Sequence, residues 1–242
     1  MITSEVCVDS VAGVGAAVEG GADRVELCAA LELGGLTPSA GLLQTAVDLL
    51  PTHVLIRPRA GNFCYDSSEI NVMARDIEHA VDRGAAAIVV GALTPAGDVD
   101  SAAMARLMSA AGDVPVTFHR AFDVTRDLLA AFDDLLELGL SWLLTSGGRP
   151  TAFEGADLIA ELVRRSGENL PVMAGSGITP ANAAEVVRRT GVGHIHYSAR
   201  TAVPTDREGQ LVMGPLDGGP RYRTSAELVR ATVTAVADLP HR

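Results

Sequence analysis

The chain has 242 residues, 48% of them hydrophobic, and a formal net charge of −11 at pH 7. This length fits one large α/β domain or two small ones, and the negative charge argues against a nucleic-acid partner, because neutralising phosphates requires basic patches. The 19 residues counted as Lys or Arg are all arginines, which excludes Schiff-base chemistry, attachment of pyridoxal phosphate and a Walker-type phosphate loop.

The start of the chain and its cysteines favour a reduced, cytoplasmic protein. Residues 1–4 lead into the first predicted strand without a charged leader or an apolar signal region. No apolar run approaches the roughly 18 residues of a membrane span, so no membrane partner is expected. Cys7, Cys28 and Cys64 are too widely spaced to predict a disulfide scaffold or a CxxC zinc site.

Eight strand-like runs alternate with eight amphipathic segments rich in Ala and Leu. The predicted strands lie near 4–9, 24–28, 53–59, 86–91, 114–120, 141–145, 171–174 and 193–198. The predicted helices lie near 10–20, 38–50, 68–83, 100–111, 126–138, 153–166, 180–190 and 224–238. This order predicts an α/β fold, a TIM (β/α)8 barrel that forms a single domain over 1–242. The alternative, a doubly wound open sheet, usually opens with a Gly-rich nucleotide turn, whereas Gly13-Val14-Gly15 lies inside the first predicted helix.

Residues 199–223 interrupt this alternation, because they are rich in Pro, Gly and charged residues. In a barrel they form the loop after strand eight, and this loop is long enough to act as a lid over a site on the catalytic face. A loop that is flexible without covering any site is equally compatible with this composition.

Several predicted strands carry ionisable or thiol side chains at alternate positions, a spacing that puts them on one face of the strand. The residues at these positions are Glu5, Cys7, Glu26, Cys28, Arg57, Arg59, His119, His196 and Ser198. Because burying an unpaired charge is costly, we expect them to meet in the barrel lumen, with Arg57 neutralising Glu5 and Glu26 through bidentate hydrogen bonds. A net-neutral cluster of this kind is also compatible with a purely structural plug.

His119 is the candidate for acid–base chemistry, because the pKa of a free imidazole lies near neutrality. Asp123 or Glu26 is expected to fix its tautomer. The constellation suits proton abstraction next to a carbonyl, as in an isomerase, hydratase or lyase that needs no metal and acts on a small sugar-like or anionic molecule. The predicted catalytic residues are Glu5, Glu26, Arg57, His119 and Asp123.

Gly-rich turns follow the sixth and seventh predicted strands, and such turns expose backbone N–H groups that suit an anion or a hydroxyl-rich ligand. The predicted ligand-binding residues are Arg59, Arg120, Ser146, Gly175, Ser176, Gly177, His196 and Ser198. His53 and His79, by contrast, are expected at the surface.

Long motifs distributed over nearly the whole chain resemble the CutC family. They are EVCVDS at 5–10, GADRVELC at 21–28, GGLTPS at 34–39, IRPR at 56–59, TFHRAFD at 117–123, LTSG at 144–147 and MAGSGI at 173–178. The match continues to His196 and Ser198-Ala199-Arg200, and it is loose over 201–223.

The resemblance implies a TIM-barrel fold, a cytoplasmic homo-oligomer and a role in copper homeostasis, with Cys7 and Cys28 as the copper ligands. Soft thiolates on adjacent strands suit Cu(I), and Cys64 could join them only if the third βα loop folds over. Three hypotheses remain at this point: a copper-binding protein, a metal-independent enzyme of the lumen, and a structural barrel with a polar plug.

Overall fold

Eight parallel strands close into a barrel in the computed structural model, which describes residues 1–167, 169–203 and 221–240. The strands are β1 (Thr3–Val8), β2 (Arg24–Leu27), β3 (Thr52–Leu55), β4 (Ala87–Val90), β5 (Val116–Phe118), β6 (Trp142–Thr145), β7 (Val172–Gly175) and β8 (His194–Tyr197). Each strand pairs with the next in the chain, and β8 pairs back onto β1. The predicted TIM barrel is confirmed.

One helix follows each strand. The helices are α1 (Val11–Gly20), α2 (Ala40–Val47), α3 (Ser67–Asp82), α4 (Ser101–Ala111), α5 (Leu128–Leu138), α6 (Ala156–Ser166), α7 (Ala183–Thr190) and α8 (Ala226–Val236). Short 3-10 helices span Leu31–Leu33 and Arg120–Val124, in the loops after β2 and β5. None of the helices in the described part of the chain is long and apolar enough to cross a membrane.

Side-chain caps fix where many of these helices begin. At the start of α3, the Asp66 carboxylate accepts a hydrogen bond from the Glu69 N–H, and the Glu69 carboxylate accepts one from the Asp66 N–H. This reciprocal capping box satisfies two N–H groups that the helix itself cannot pair. Ser10 and Ser39 cap α1 and α2 with their hydroxyl groups.

The strands present two different apolar layers, because successive side chains point to opposite faces of a strand. Val6 and Val25 belong to the large core between the barrel and the helices. A separate small cluster occupies the inside of the barrel and consists of Cys7, Cys28, Leu55 and Val89. The predicted division between outward apolar and inward thiol or polar positions is confirmed on β1 and β2.

The segment predicted as a plain loop over 199–223 contains regular structure at both ends. β9 (Arg200–Val203) and β10 (Arg221–Thr224) pair as a two-stranded antiparallel sheet beside the barrel. The guanidinium of Arg200 stacks over the Tyr222 ring, with its Cζ 5.0 Å from the ring centroid. The loop prediction was wrong for the seven of these residues that lie within 199–223, because the pairing joins segments distant in sequence, and Thr224 was predicted as the start of the last helix. The predicted lid falls mainly on 204–220, which lie outside the described residues.

Candidate functional site

A cavity of about 690 Å³ opens at the carboxyl ends of the barrel strands. In TIM barrels this end is where the chemistry takes place, because loops from all eight strands meet there. Many of the predicted site residues line the cavity, and they are Cys7, Glu26, Arg57, His119, Arg120, Ser176, Gly177, His196 and Ser198. The strands therefore bring together residues that are far apart in the sequence.

Glu5 lies beneath this cavity and is fully buried. Its carboxylate lies 2.6 Å from Arg24 Nε, 2.9 Å from His53 Nδ1 and 2.9 Å from His196 Nδ1. Burial alone would raise the pKa of Glu5, but the hydrogen bonds and charges of His196 and His53 outweigh it and hold the pKa well below its usual value. Glu5 is therefore an ionised anchor shared by three basic side chains.

Two thiols and a carboxyl group lie directly above this anchor. Cys7 Sγ is 3.9 Å from Cys28 Sγ and donates a 3.3 Å hydrogen bond to Glu26 Oε1. The neighbouring Cys28 thiol raises the pKa of Cys7 well above its usual value, and burial and the Glu26 charge add to this. Burial also raises the pKa of Glu26. Cys7 and Glu26 consequently hold their protons more firmly than they would in water.

His196 joins this cluster from β8. One possible ligand atom each from Cys7, Glu26 and His196 lies within 4.8 Å of the others. Burial lowers the pKa of His196, but the charges of Glu26 and Glu5 outweigh it and raise the pKa above the usual value. The three residues thus form a compact group of thiol, carboxyl and imidazole donors, which is the kind of set that can hold a metal ion.

His119 lies on the wall of the cavity and is neutral at physiological pH. Its Nδ1 accepts a 3.1 Å hydrogen bond from the Ala121 N–H, so Nε2 carries the ring proton. Burial lowers the pKa of His119 to about 3, and the Arg57 charge contributes. The prediction that Asp123 or Glu26 fixes the tautomer was wrong, because a backbone N–H does so.

A family model described as the CutC family matches residues 2–201. The CutC family protein of Pasteurella multocida is 41% identical over 238 residues, which cover 96% of this chain and 98% of the relative. The CutC family protein of Xanthomonas campestris strain 8004 is 45% identical over 231 residues, which cover 95% of this chain and 96% of the relative. This chain belongs to the CutC family. The resemblance noted in its motifs is confirmed.

A solved CutC structure shares the fold. The CutC protein of Streptococcus agalactiae, whose name refers to copper homeostasis, superimposes with a TM-score of 0.78 at 33% sequence identity. The match covers 82% of this chain and 99% of that one. The CutC barrel seen here is therefore the architecture of a solved family member, and not only a general TIM-barrel likeness.

Arg57 does not neutralise the glutamates of this CutC site as predicted. Its Nη1 donates to the carbonyl oxygens of Leu33 and Gly35, and its Nη2 to that of Gly61, each at 3.0 Å. Arg57 follows β3, which ends at Leu55, and from there it connects the loops after β2 and β3. The predicted neutralisation failed because alternation gives the face of a strand but not the height of a residue along the barrel.

Arg24 and His53 are partners of Glu5 that the sequence did not predict. Arg24 pairs with Glu5 from the adjacent strand, and the Trp142 ring lies under its guanidinium. His53, expected at the surface, is only 4% exposed. Its alternation with Leu55 and Arg57 was the available signal, because this spacing places His53 on the inner face of the strand.

Asp123 and Ser146 hold the loop after β6 and do not line the cavity among the described residues. The Asp123 carboxylate accepts hydrogen bonds from Thr145 Oγ1 at 2.5 Å, Ser146 N at 3.0 Å and Arg120 Nε at 2.8 Å. These partners belong to the end of β6, to the loop that follows it and to the 3-10 helix after β5. The side chain that was predicted to be catalytic therefore shapes the rim of the cavity.

Two further predicted ligand-binding residues, and the third cysteine of the chain, lie outside the cavity wall. Arg59 pairs with Glu69 at 2.5 Å, and Gly175 packs so closely that a Cβ there would lie 2.5 Å from Leu144 Cδ1. Cys64 donates a hydrogen bond to the Thr94 carbonyl oxygen at 3.2 Å and stands apart from the other two thiols. His79 is exposed, as predicted.

Proposed function

We propose that this CutC-family chain takes up Cu(I) as cargo, with the sulfurs of Cys7 and Cys28 as its ligands, and so serves copper homeostasis. The observation that carries the proposal is the 3.9 Å separation of the two sulfur atoms, of which that of Cys7 belongs to a residue lining the cavity. Thiolates are soft ligands that favour Cu(I) over hard cations. The name of the Streptococcus agalactiae protein, which refers to copper homeostasis, supports the same role.

His196 is proposed as a third donor to the ion. Its Nδ1 lies 2.9 Å from Glu5 Oε1. Carboxylates behind a metal-binding imidazole commonly fix its tautomer and orientation, and their loss weakens metal binding. Glu5 would have this orienting role here, while Arg24 balances its charge.

The proton content of the cluster makes ion binding depend on pH. Because its pKa is raised, the Cys7 thiol is protonated at neutral pH, so binding must displace a proton. Coordination through thiolate sulfur releases the thiol proton to the solvent in exchange for the ion. The same exchange makes apparent affinity rise with pH, by up to about tenfold per unit for each proton displaced.

We further propose that the protein works in the cytoplasm and as a homo-oligomer. The cytoplasmic location is supported by the thiol pair, since the two adjacent sulfurs must stay reduced to bind an ion and the cytoplasm is a reducing compartment. The second rests on the family resemblance, and light scattering of the purified protein tests it by giving the mass of the assembly in solution.

The enzyme hypothesis is less well supported than copper binding. Asp123 and Arg57, two of its five proposed catalytic residues, are engaged by loop atoms. His119 has no carboxylate partner among the described residues. The plug hypothesis accounts for the charges around Glu5, but it does not account for two adjacent thiols, one of which, that of Cys7, borders an open cavity.

A Cu(I) competition titration under anaerobic conditions tests the proposal. Cys7→Ser and Cys28→Ser should each weaken binding by more than the roughly 10–100-fold that loss of an outer-shell group costs. Cys64→Ser is the matched control, because it removes the third thiol of the chain away from the site, and it should bind as the unmodified protein does. Equal affinity in the Cys7→Ser/Cys28→Ser double variant would refute copper binding at this pair.

A further inference from the structure

Arg57 is a buried cation with no carboxylate beside it in the described part of the chain. The residue is 6% exposed, and the hydrogen-bond partners of its two Nη atoms are the carbonyl oxygens of Leu33, Gly35 and Gly61. Carbonyl oxygens satisfy N–H groups but bring no net negative charge. Because an uncompensated buried charge is costly, this environment favours the binding of an anion.

Arg24 provides the comparison within the same barrel. It is buried to a similar degree, at 8% exposure, yet it forms a 2.6 Å ion pair with Glu5. Arg24 is absent from the cavity wall, whereas Arg57 is part of it. The buried arginine that a ligand can approach is thus the one without a counter-charge.

The wall of the cavity is positively charged even though the chain as a whole carries a net charge of −11. Its described residues include three arginines, Arg57, Arg120 and Arg200, but a single carboxyl group, that of Glu26. Asp123 neutralises Arg120, while Arg200 is in no ion pair with a described residue. A positive cleft of this kind attracts small anions, whatever the total charge of the protein.

Backbone strain is concentrated around the same opening. Among the described residues, the non-glycine residues with positive φ are Ala30 at 49°, Ser176 at 79° and Ala199 at 46°. They lie in the loops after β2, β7 and β8, and both Ser176 and Ala199 line the cavity. Left-handed backbone is unfavourable for such residues, and it is typically retained where a loop must clamp a ligand.

We infer that the cavity binds a small organic oxyanion, a carboxylate or a phosphate ester, with its negative charge beside Arg57 and His119. The Nε2–H of His119 has no acceptor among the described residues and would supply a hydrogen bond. Phe63 packs against both side chains, 5.1 Å from Arg57 Cζ and 4.9 Å from the His119 ring, and gives the ligand an apolar wall. A cavity of about 690 Å³ suits a metabolite-sized molecule.

Thermal unfolding with added anions tests this inference. The probes are inorganic phosphate, glycerol 3-phosphate and succinate, each compared with sodium chloride at equal ionic strength. At least one should raise the Tm of the unmodified protein in a concentration-dependent way, since a ligand that binds only the folded state stabilises it. The phosphate and carboxylate probes distinguish the two ligand classes, and no shift with any of them would overturn the inference.

Arg57→Gln and Arg59→Gln form the matched pair. Arg57→Gln should raise the dissociation constant of the anion that stabilises the unmodified protein by about tenfold or more, as expected when a charged hydrogen-bond donor is lost. Arg59→Gln removes a nearby arginine that is paired with Glu69 outside the cavity, and it should bind as the unmodified protein does. Unchanged affinity in a folded Arg57→Gln variant would mean that Arg57 only connects loops.

A crystal structure of the unmodified protein with the same anion decides the matter if Arg57→Gln does not fold. Anion density against Arg57 supports the inference, and density elsewhere overturns it. The result is also separable from copper binding. Because Cys28 lies outside the cavity wall, the Cys28→Ser variant should retain the anion-induced increase in Tm while losing Cu(I) affinity.

Discussion

Glu5 is the residue on which the buried polar network depends, because its carboxylate is shared by Arg24, His53 and His196. Glu5→Gln should lower the free energy of unfolding by about 3–5 kcal/mol, since it leaves buried cationic groups without their counter-charge. Urea denaturation at pH 7 measures this. Glu185→Gln is the control: its pair with Arg188 is exposed and 3.5 Å long, so only a small change is expected. Equal effects of the two substitutions would contradict this reading of the network.

His119 should make the protein less stable in mild acid. Its pKa of about 3 in the folded state lies below the value of about 6.5 for an exposed imidazole, so lowering the pH favours the protonated, unfolded state. Between pH 7 and pH 5 the expected contribution to lost stability is about 2 kcal/mol.

His119→Asn isolates this contribution, because an amide oxygen can still accept the Ala121 N–H bond but does not titrate. We expect the unmodified protein to lose about 2 kcal/mol more than the variant over this pH range in urea denaturation. Equal losses of stability in the two proteins between pH 7 and pH 5 would show that the buried imidazole is not the cause of the acid sensitivity.

The first helix offers a test of packing at the point where the barrel closes. A Cβ at Gly20 would overlap the Val229 side chain of α8, whereas a Cβ at Gly15 would meet nothing within 4 Å. Gly20→Ala should therefore cost about 1–3 kcal/mol through overpacking. Gly15→Ala, on the exposed side of the same helix, should instead add about 0.5–1 kcal/mol through helix propensity. Denaturation curves that shift in the same direction would contradict the contact between α1 and α8.

Alternation along single strands explains which site features the sequence could predict. The period of two placed Cys7 and Glu26 on the inner face, and the structure brings the Cys7 thiol within 3.3 Å of the Glu26 carboxyl group. The partner of Glu5 could not be predicted in the same way. Whether Arg24 or Arg57 reaches it depends on the stagger of the strands around the closed barrel.

Pairing between distant segments limited the prediction elsewhere. β9 and β10 flank a stretch rich in Pro and Gly, so nothing local in the sequence indicated that their residues meet. His53 was misassigned for a related reason, since the burial of a residue at the start of a strand depends on what closes that end of the barrel. Trp142 does so here, with its ring centroid 5.3 Å from that of His53.

For the molecule as a whole, the barrel followed from the regular alternation of strands and helices, and family membership followed from motifs spread over most of the chain. The organisation of 1–242 as one domain stays a prediction. The copper ligands and the anion site are proposals that rest on different side chains. The first rests on a thiol pair of which Cys7 lines the cavity, and the second on Arg57 in the cavity wall.

X-ray absorption spectroscopy of the Cu(I)-loaded protein tests the central claim most directly, because it identifies the atoms bonded to the ion. We predict a first shell with sulfur from two thiolates in the unmodified protein and in Cys64→Ser, and sulfur from a single thiolate in Cys28→Ser. A shell of nitrogen and oxygen only, or a sulfur signal unchanged in the Cys7→Ser/Cys28→Ser double variant, would contradict the account.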